Sequence, residues 1–155
     1  MTEIGRRSFV VGALVAPLVG AGVARAAQVM KVHKDPDCAC CEAWVEHVRA
    51  AGYEAQVAVV PAINAIKAKF GVPIALRSCH TAEIDGYVLE GHVPAAAIAR
   101  LLAQRPKVHG LAAPGMPIGA PGMEVEGRAP ERYEVMAFGE DGANVFMVFR
   151  GATPV

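Results

Sequence analysis

The chain has 155 residues, with 15 basic and 15 acidic side chains, so it lacks the basic excess that is typical of nucleic-acid-binding proteins. No basic amphipathic stretch indicates binding to a membrane surface. A chain of this length can bury a hydrophobic core without disulfides, so its four cysteines are free for another purpose.

Residues 1–26 predict an export signal rather than part of the fold. Arg6 and Arg7 precede an apolar run over residues 10–23, which ends at Ala24-Arg25-Ala26. This pattern is typical of a twin-arginine signal peptide with a small-x-small cleavage site. The run is shorter than the ~20 residues that a membrane-spanning helix needs, which argues against the alternative of an N-terminal anchor. We therefore expect a periplasmic protein with no membrane span after the signal is removed.

Residues 27–155 then form one domain. The signal holds three arginines and one glutamate, so 12 basic and 14 acidic residues remain in the exported part. Strand and helix patterns alternate along it, with strands predicted at 28–33, 54–60, 81–84 and 87–90, and helices at 42–51, 62–70 and 95–104. A Gly- and Pro-rich loop over 111–126 and a second hairpin, 133–138 with 145–149, follow. The β-α-β-α-β-β-α order predicts a thioredoxin-like α/β sandwich with an additional C-terminal β-hairpin.

Three cysteines lie together between the first strand and the first helix: Cys38, Cys40 and Cys41. The positive end of a helix dipole lowers thiol pKa values and favours thiolates. Two kinds of chemistry use such a site, thiol–disulfide exchange and the binding of a thiophilic metal such as Cu(I) or Zn(II). A structural disulfide with one spare thiol is the simpler alternative, although small disulfide scaffolds usually space their cysteines apart.

The fourth cysteine, Cys79, precedes the predicted hairpin. In thioredoxins the corresponding loop faces the redox pair and holds a cis-proline, and here a thiol stands in its place. If the fold prediction is right, all four cysteines converge within a few ångströms.

Histidines and methionines supply further candidate ligands. His33 ends the first strand, His80 adjoins Cys79, and His92 lies in the turn before the last long helix, so each is a candidate metal ligand, proton donor or outer partner of a ligand. His47 and His109 are expected to be inert surface residues. Met116 and Met123 each follow Pro-Gly in the 111–126 loop. They are either core filler or thioether ligands, which select Cu(I).

Four motifs, in order, resemble the CopG-like family of periplasmic copper-resistance proteins, long catalogued as a metal-binding domain of unknown function. They occupy residues 37–45, 78–82, 88–95 and 114–124, and the resemblance extends from Met30 to about Phe149. It implies a thioredoxin-like fold and a cysteine-bridged cluster of several copper ions per chain. It also implies a role in copper resistance that includes interconversion of Cu(I) and Cu(II). The cluster thiolates would be Cys38, Cys40, Cys41 and Cys79. Ala39 stands where glycine is common in the family.

Two functions of different class follow. The first is a copper-binding resistance protein, whose partners are copper ions and either other periplasmic copper-handling proteins or an electron donor or acceptor. Whether it turns over as a copper oxidoreductase is left open by the sequence. The second is a thiol–disulfide oxidoreductase that uses Cys38 and Cys41. Cys40 favours the first, because a third adjacent thiol scrambles a redox pair but bridges ions in a cluster. Zinc is a weaker third option, because closed zinc sites usually draw on two separated Cys-x-x-Cys knuckles.

Overall fold

A computed structural model describes residues 27–155, so the predicted signal peptide at 1–26 lies outside the described residues. This part of the chain forms one eight-stranded mixed sheet that is covered by three α-helices and a short 3₁₀ turn. In chain order the elements are β1 Val29–Lys34, α1 Ala39–Ala50, β2 Glu54–Val59, α2 Ile63–Lys69, the 3₁₀ turn Ile74–Leu76, β3 His80–Ile84, β4 Tyr87–Gly91, α3 Ala95–Gln104, β5 Gly110–Ala113, β6 Arg132–Gly139, β7 Gly142–Arg150 and β8 Thr153–Pro154.

The strands lie in the order β2-β1-β3-β4-β5-β6-β7-β8. The pairs β1/β2 and β4/β5 are parallel and every other neighbouring pair is antiparallel. In the β1/β3 register Lys34 lies opposite His80, so the end of β1 lies beside the start of β3. The prediction of a mixed α/β fold is confirmed, and the predicted order of the first seven elements matches.

The sheet has a hydrophobic cluster on each face. Met30 and Val32 of β1 point toward α1 and share one cluster with Trp44 of α1 and Leu101 of α3. On the other face, a smaller cluster lies against α2 and the 3₁₀ turn and contains Val72, Leu76, Val88, Ala112 and Phe138. Side chains of a strand alternate between the two faces of the sheet. Each residue at the cysteine end of a strand therefore faces either α1 or α2.

Helix α1 begins at Ala39 rather than at residue 42, with Cys38 as its N-cap residue. It buries Cys41, Trp44, Val45 and Val48, the i, i+3, i+4, i+7 stripe of an amphipathic helix. Because Cys41 belongs to this stripe, packing of the helix fixes the orientation of the cysteine motif. The earlier start means that Cys40 and Cys41 lie in the first helical turn rather than in the loop before it.

Strands β5 and β8 were not predicted. Residues Gly110–Ala113 contain no β-branched side chain, yet all four are buried between β4 and β6. Gly110 is required there, because a Cβ atom would overlap the carbonyl oxygen of Val88. The prediction of a loop over 111–126 is therefore wrong at its start and holds from about Pro114 onward. No helix among residues 27–155 is long and apolar enough to cross a bilayer.

Candidate metal centre

The cysteine motif begins in a tight turn that is held by backbone and side-chain hydrogen bonds. The Cys38 amide donates to the carbonyl of Asp35 at 3.3 Å, and the Asp37 amide donates to the Asp35 carboxylate at 3.2 Å. The Lys34 ammonium, which is only 5% exposed, lies 3.4 Å from the Cys38 carbonyl and 2.9 Å from the Glu42 carboxylate. Lys34 therefore ties the end of β1 to the start of α1 and places a positive charge beside the thiols.

All four cysteine sulfurs lie within 4.8 Å of one another. Cys38 and Cys41 form a disulfide with a Cα–Cα separation of 5.5 Å, while Cys40 and Cys79 are free. The sulfurs of Cys38 and Cys40 are 3.5 Å apart. The expectation that Cys79 lies next to the other three is correct, because the β1/β3 register brings residue 79 beside the loop that follows Lys34. The chain thus holds four sulfurs in the space of one metal cluster, in a form that is oxidised by two electrons.

Two buried histidines extend this sulfur group. The Cys79 sulfur is 3.2 Å from Nδ1 of His80 and 3.0 Å from Nε2 of His92, and these three atoms form a second compact group of candidate ligand atoms. His92 Nδ1 lies 2.7 Å from the Pro121 carbonyl, to which it donates. The hydrogen bond leaves His92 Nε2 with a lone pair directed at Cys79, the tautomer that a metal ligand needs. Burial lowers the pKa of both imidazoles, so both are neutral near pH 7.

The environment of Cys79 favours the protonated thiol when no metal is bound. Burial, reinforced by repulsion from Cys40, raises the pKa of Cys79 to about 12. A metal ion reverses this preference because it binds the thiolate directly and displaces the proton. Binding of a cation by the Cys79 sulfur would therefore release a proton.

The loop after β5 lies against the cysteine site. A Cβ on Gly122, whose φ is +83°, would come within 2.8 Å of the Cys40 carbonyl and 2.7 Å of the Trp44 amide. Glycine at this position allows the loop to contact the first turn of α1, and Pro121 adds the hydrogen bond to His92. Met123 is partly buried against the core cluster of α1, whereas Met116 is 44% exposed and has a φ of +46°.

His33 is not among the residues that the structure brings together. Its Nε2 lies 3.2 Å from the Glu83 carboxylate, and its ring packs against Phe70 on the α2 face of the sheet. Its neighbour Lys34 contacts α1 on the opposite face, where the cysteines lie. Among residues 27–155, two buried polar side-chain atoms make no hydrogen bond: Nδ1 of His33 and Nε2 of His80.

The two histidines that were expected to be inert have structural contacts. Nε2 of His47 accepts a hydrogen bond from the Ala95 amide at 3.0 Å and so satisfies an N-terminal N–H of α3. Nε2 of His109 lies 2.6 Å from the Phe70 carbonyl, to which it donates. Neither belongs to a candidate ligand group in the described part of the chain.

Sequence reasoning did not select three charged residues next to the site: Lys34, Lys67 and Glu90. A signal was available for two of them. Lys67 falls within the apolar stripe of α2, between Ile63 and Phe70, and Glu90 interrupts an apolar run in β4. A charged residue on a buried face implies a buried partner.

The pKa shifts predict how the stability of the metal-free protein depends on pH. The neutral His80 and His92 have pKa values below the ordinary 6.5, so the unfolded chain binds more protons, and stability falls as pH drops through 6.5. The pKa of Cys79 is raised from 9.0, so the unfolded chain loses this proton first, and stability falls as pH rises above 9.0.

Thermal unfolding followed across this pH range should therefore show a maximum between the two limits. Replacement of His92 by Gln removes one of the buried imidazoles and should flatten the acid side. A melting temperature that stays constant from about pH 7 down to about pH 5 in the wild type would contradict the assignment of neutral, buried histidines.

The chain is similar to a described protein family and to two solved structures. Residues 76–123 match the family described as "Protein of unknown function, DUF411". A solved structure titled "Copper resistance protein copG- Form 2" is 40% identical, with a TM-score of 0.75, and the match covers 79% of this chain and 98% of that one. The structure titled "Copper resistance protein copG- Form 1" is 41% identical with a TM-score of 0.73 and the same coverage. No curated protein sequence matches the chain. At this identity and coverage, the chain belongs to the CopG family of copper resistance proteins.

Proposed function

We propose that this protein binds Cu(I) in the periplasm as part of copper resistance, with several ions shared among the thiolates of Cys38, Cys40, Cys41 and Cys79. The observation that carries the proposal is the convergence of four sulfurs within 4.8 Å. Thiolates are soft ligands and select Cu(I), Zn(II) or iron–sulfur clusters over hard cations. The names of the two similar structures favour copper among these metals.

The spacing of the sulfurs supports bridging. A metal–thiolate bond is about 2.3 Å long for zinc, so two sulfurs on one ion lie roughly 4 Å apart. Once the Cys38–Cys41 disulfide is reduced, four thiolates in this space can therefore share ions in pairs. Four thiolates on one monovalent ion would leave a large excess of negative charge in a partly buried site, and further copper ions reduce that excess. The Lys34 ammonium beside Cys38 offsets part of the remainder.

Nitrogen and thioether donors complete the proposed site. His92 presents a lone pair at Nε2 and is the first choice for a nitrogen ligand, and His80 lies at similar distance from Cys79. Met123, which lies next to the glycine that touches Cys40, is the better placed of the two methionines. Met116 requires movement of its loop from a half-exposed position. His33 is left out of the proposed ligand set because it packs on the other face of the sheet.

The arrangement of the first four strands favours a thioredoxin-like core for residues 27–155, treated as a single domain. The order β2-β1-β3-β4, with β1 and β2 parallel and β3 antiparallel to β1, is the arrangement that this fold uses. In such a core the first helix begins at the end of β1 and carries the thiols in its first turn. The C-terminal β6–β7 hairpin adds to the sheet through β5.

A thiol–disulfide oxidoreductase is the second candidate, and the Cys38–Cys41 disulfide favours it. The Cys41 residue is fully buried while Cys38 is partly exposed, so an external thiolate can reach Cys38. The two functions are separable by experiment. A copper titration of the reduced protein against a Cu(I) chelator, beside a disulfide-reductase assay, should give tight binding of more than one ion and little reductase activity. Strong reductase activity with no tight copper binding would favour the second candidate.

The export route gives another prediction. Replacement of both Arg6 and Arg7 by Lys should abolish transport to the periplasm, because a twin-arginine signal depends on the arginine pair. Immunoblots of periplasmic and cytoplasmic fractions measure this, and the fold of residues 27–155 should be unaffected. Transport of the double variant in wild-type amount would show that another export route is used.

Exported copper-handling proteins and an electron donor or acceptor are the partners we propose.

A further inference from the structure

Cys79 lies in a short segment without regular secondary structure. Residues 77–79 belong to no helix or strand, in contrast to Cys40 and Cys41, which lie in the first turn of α1. A ligand in an irregular segment needs other contacts to keep its sulfur in place. Arg77 is bonded to the carbonyls of Ile74 and Val72, and the contacts of Ser78 and Cys79 come largely from the end of β4 and the residue after it.

Glu90 of β4 accepts a hydrogen bond from the Ser78 amide at 2.5 Å. The same carboxylate oxygen accepts from the Lys67 ammonium at 2.6 Å, and the other oxygen accepts from the Thr81 hydroxyl at 2.6 Å. Lys67 also donates to the Thr81 hydroxyl at 3.0 Å. The carboxylate is thus bonded by groups from α2, from β3 and from the segment that holds Cys79.

The three side chains of this network are buried. Glu90 and Thr81 are 0% exposed and Lys67 is 1% exposed. A buried ion pair rarely improves stability over apolar side chains of similar size, so its presence suggests a role in fixing a geometry. The network lies on the α2 face of the sheet, whereas the thiols lie on the α1 face. The network therefore supports the thiol site from the opposite face of the sheet.

A second contact fixes the same segment. A Cβ on Gly91, whose φ is +71°, would lie 2.6 Å from both Cβ and Oγ of Ser78 and 2.9 Å from the Ala113 carbonyl. Only glycine allows Ser78 to pack this closely against the strand. The next residue, His92, places Nε2 3.0 Å from the Cys79 sulfur. Three consecutive residues at and just after the end of β4, Glu90, Gly91 and His92, therefore contact Ser78 and Cys79.

We propose that Glu90, charge-balanced by Lys67, is a positioning residue that holds the Ser78 amide and thereby sets the place of the Cys79 sulfur relative to the Cys40 sulfur. The effect of this positioning on copper binding rests on the function proposed above. The geometry itself can be tested without metal.

The test compares two variants that differ in whether residue 90 can form hydrogen bonds with the Ser78 amide and the Thr81 hydroxyl. Lys67→Met with Glu90→Gln removes both charges but keeps a side-chain oxygen that can accept from the Ser78 amide. Lys67→Met with Glu90→Leu removes the same charges and leaves that amide without a partner. Both are made in a chain that carries Cys38→Ser and Cys41→Ser, so that Cys40 and Cys79 are the remaining thiols.

The readout is the equilibrium constant for thiol–disulfide exchange with glutathione. On one side the protein carries the Cys40–Cys79 disulfide and two glutathione molecules are thiols. On the other side both protein thiols are free and the two glutathione molecules form one disulfide. It gives the effective concentration of one protein thiol at the other. We expect the Leu variant to have an effective concentration roughly tenfold below that of the Gln variant, since the hydrogen bond that holds the Ser78 amide is lost. Val135→Ala, in the core of β6, is the control: it should lower the melting temperature and leave the effective concentration unchanged.

Equal effective concentrations in the Gln and Leu variants would overturn the proposal and leave the network a purely structural role. If the Leu variant does not fold, hydrogen exchange of the Ser78 amide in the wild type decides. Exchange as slow as that of the core strands supports the hydrogen bond to Glu90, and exchange at the rate of an open loop overturns it. Cu(I) competition on the same variants with all four cysteines restored should follow the same order. Absence of copper binding in every variant, with the thiol result intact, would refute the copper function and not the positioning role.

Discussion

Replacement of Cys40 by Ser is expected to reduce bound Cu(I) about as strongly as replacement of Cys38, Cys41 or Cys79. In a cluster with bridging thiolates each sulfur holds more than one ion, so the loss of any sulfur removes ligands from several ions together. Cys40 lies 3.5 Å from the sulfur of Cys38 and within 4.8 Å of the other two, which is where a bridging ligand belongs. We expect at least half of the copper to be lost in each of the four single variants, measured by metal analysis after dialysis against a competing chelator.

The opposite pattern would identify a redox pair. In a disulfide oxidoreductase, Cys38→Ser and Cys41→Ser abolish activity, whereas Cys40→Ser is nearly silent. Full copper loading of the Cys40→Ser variant, with reductase activity intact, would contradict the cluster. Ala50→Ser, at an exposed position near the end of α1, is the matched control, because it adds a hydroxyl to the same helix away from the thiols.

Oxidation of the Cys38–Cys41 pair is expected to prevent cluster formation. Two of the four sulfurs are then bonded to each other and are no longer thiolates, so only Cys40 and Cys79 remain as sulfur ligands. Reduction by a dithiol adds two electrons and two protons, and thiol titration should rise from two to four groups per chain. Copper bound per chain should rise with it, from at most one ion to several.

A variant that cannot form the disulfide gives the control for this result. With Cys38 and Cys41 both replaced by Ser, copper binding should stay at no more than one ion per chain before and after the dithiol, because only Cys40 and Cys79 remain as sulfur ligands, whether free or joined in a disulfide. Full copper loading of the wild type while only two thiols titrate would show that the disulfide and the metal site coexist. In that case the copper would have to bind elsewhere, for example at Cys79, His80 and His92.

The sequence predicted most of the first half of the fold because its signals there are local. β-branched residues mark β1 and β2, and the Asp85-Gly86 turn marks the β3–β4 hairpin, where both residues have positive φ. Strand β5 has no such signal. Its four residues are small or weakly β-forming, and only the strands on either side determine that Gly110–Ala113 is extended.

Candidate ligands could be predicted from the sequence when they are close together in the chain. They could also be predicted when the expected fold brings them into contact. Cys38, Cys40 and Cys41 are adjacent, and Cys79 follows from the pairing of β3 with β1. The role of His92 depends on Pro121, which fixes its tautomer from 29 residues away, and no local pattern shows that contact. For His33, the strand position alone did not reveal which face its side chain occupies. The Lys67–Glu90 pair was missed. A lysine in the apolar stripe of α2 and a glutamate in the apolar run of β4 each signal a buried charge, but only the fold shows that the two are partners.

Counting copper and zinc per chain in the protein isolated from the periplasm under reducing, oxygen-free conditions tests the central claim most directly. A cluster held by four bridging thiolates predicts more than one copper ion per chain and less than stoichiometric zinc. A single zinc ion per chain, or no bound metal in a protein that shows four free thiols, would contradict the copper site proposed for Cys38, Cys40, Cys41 and Cys79.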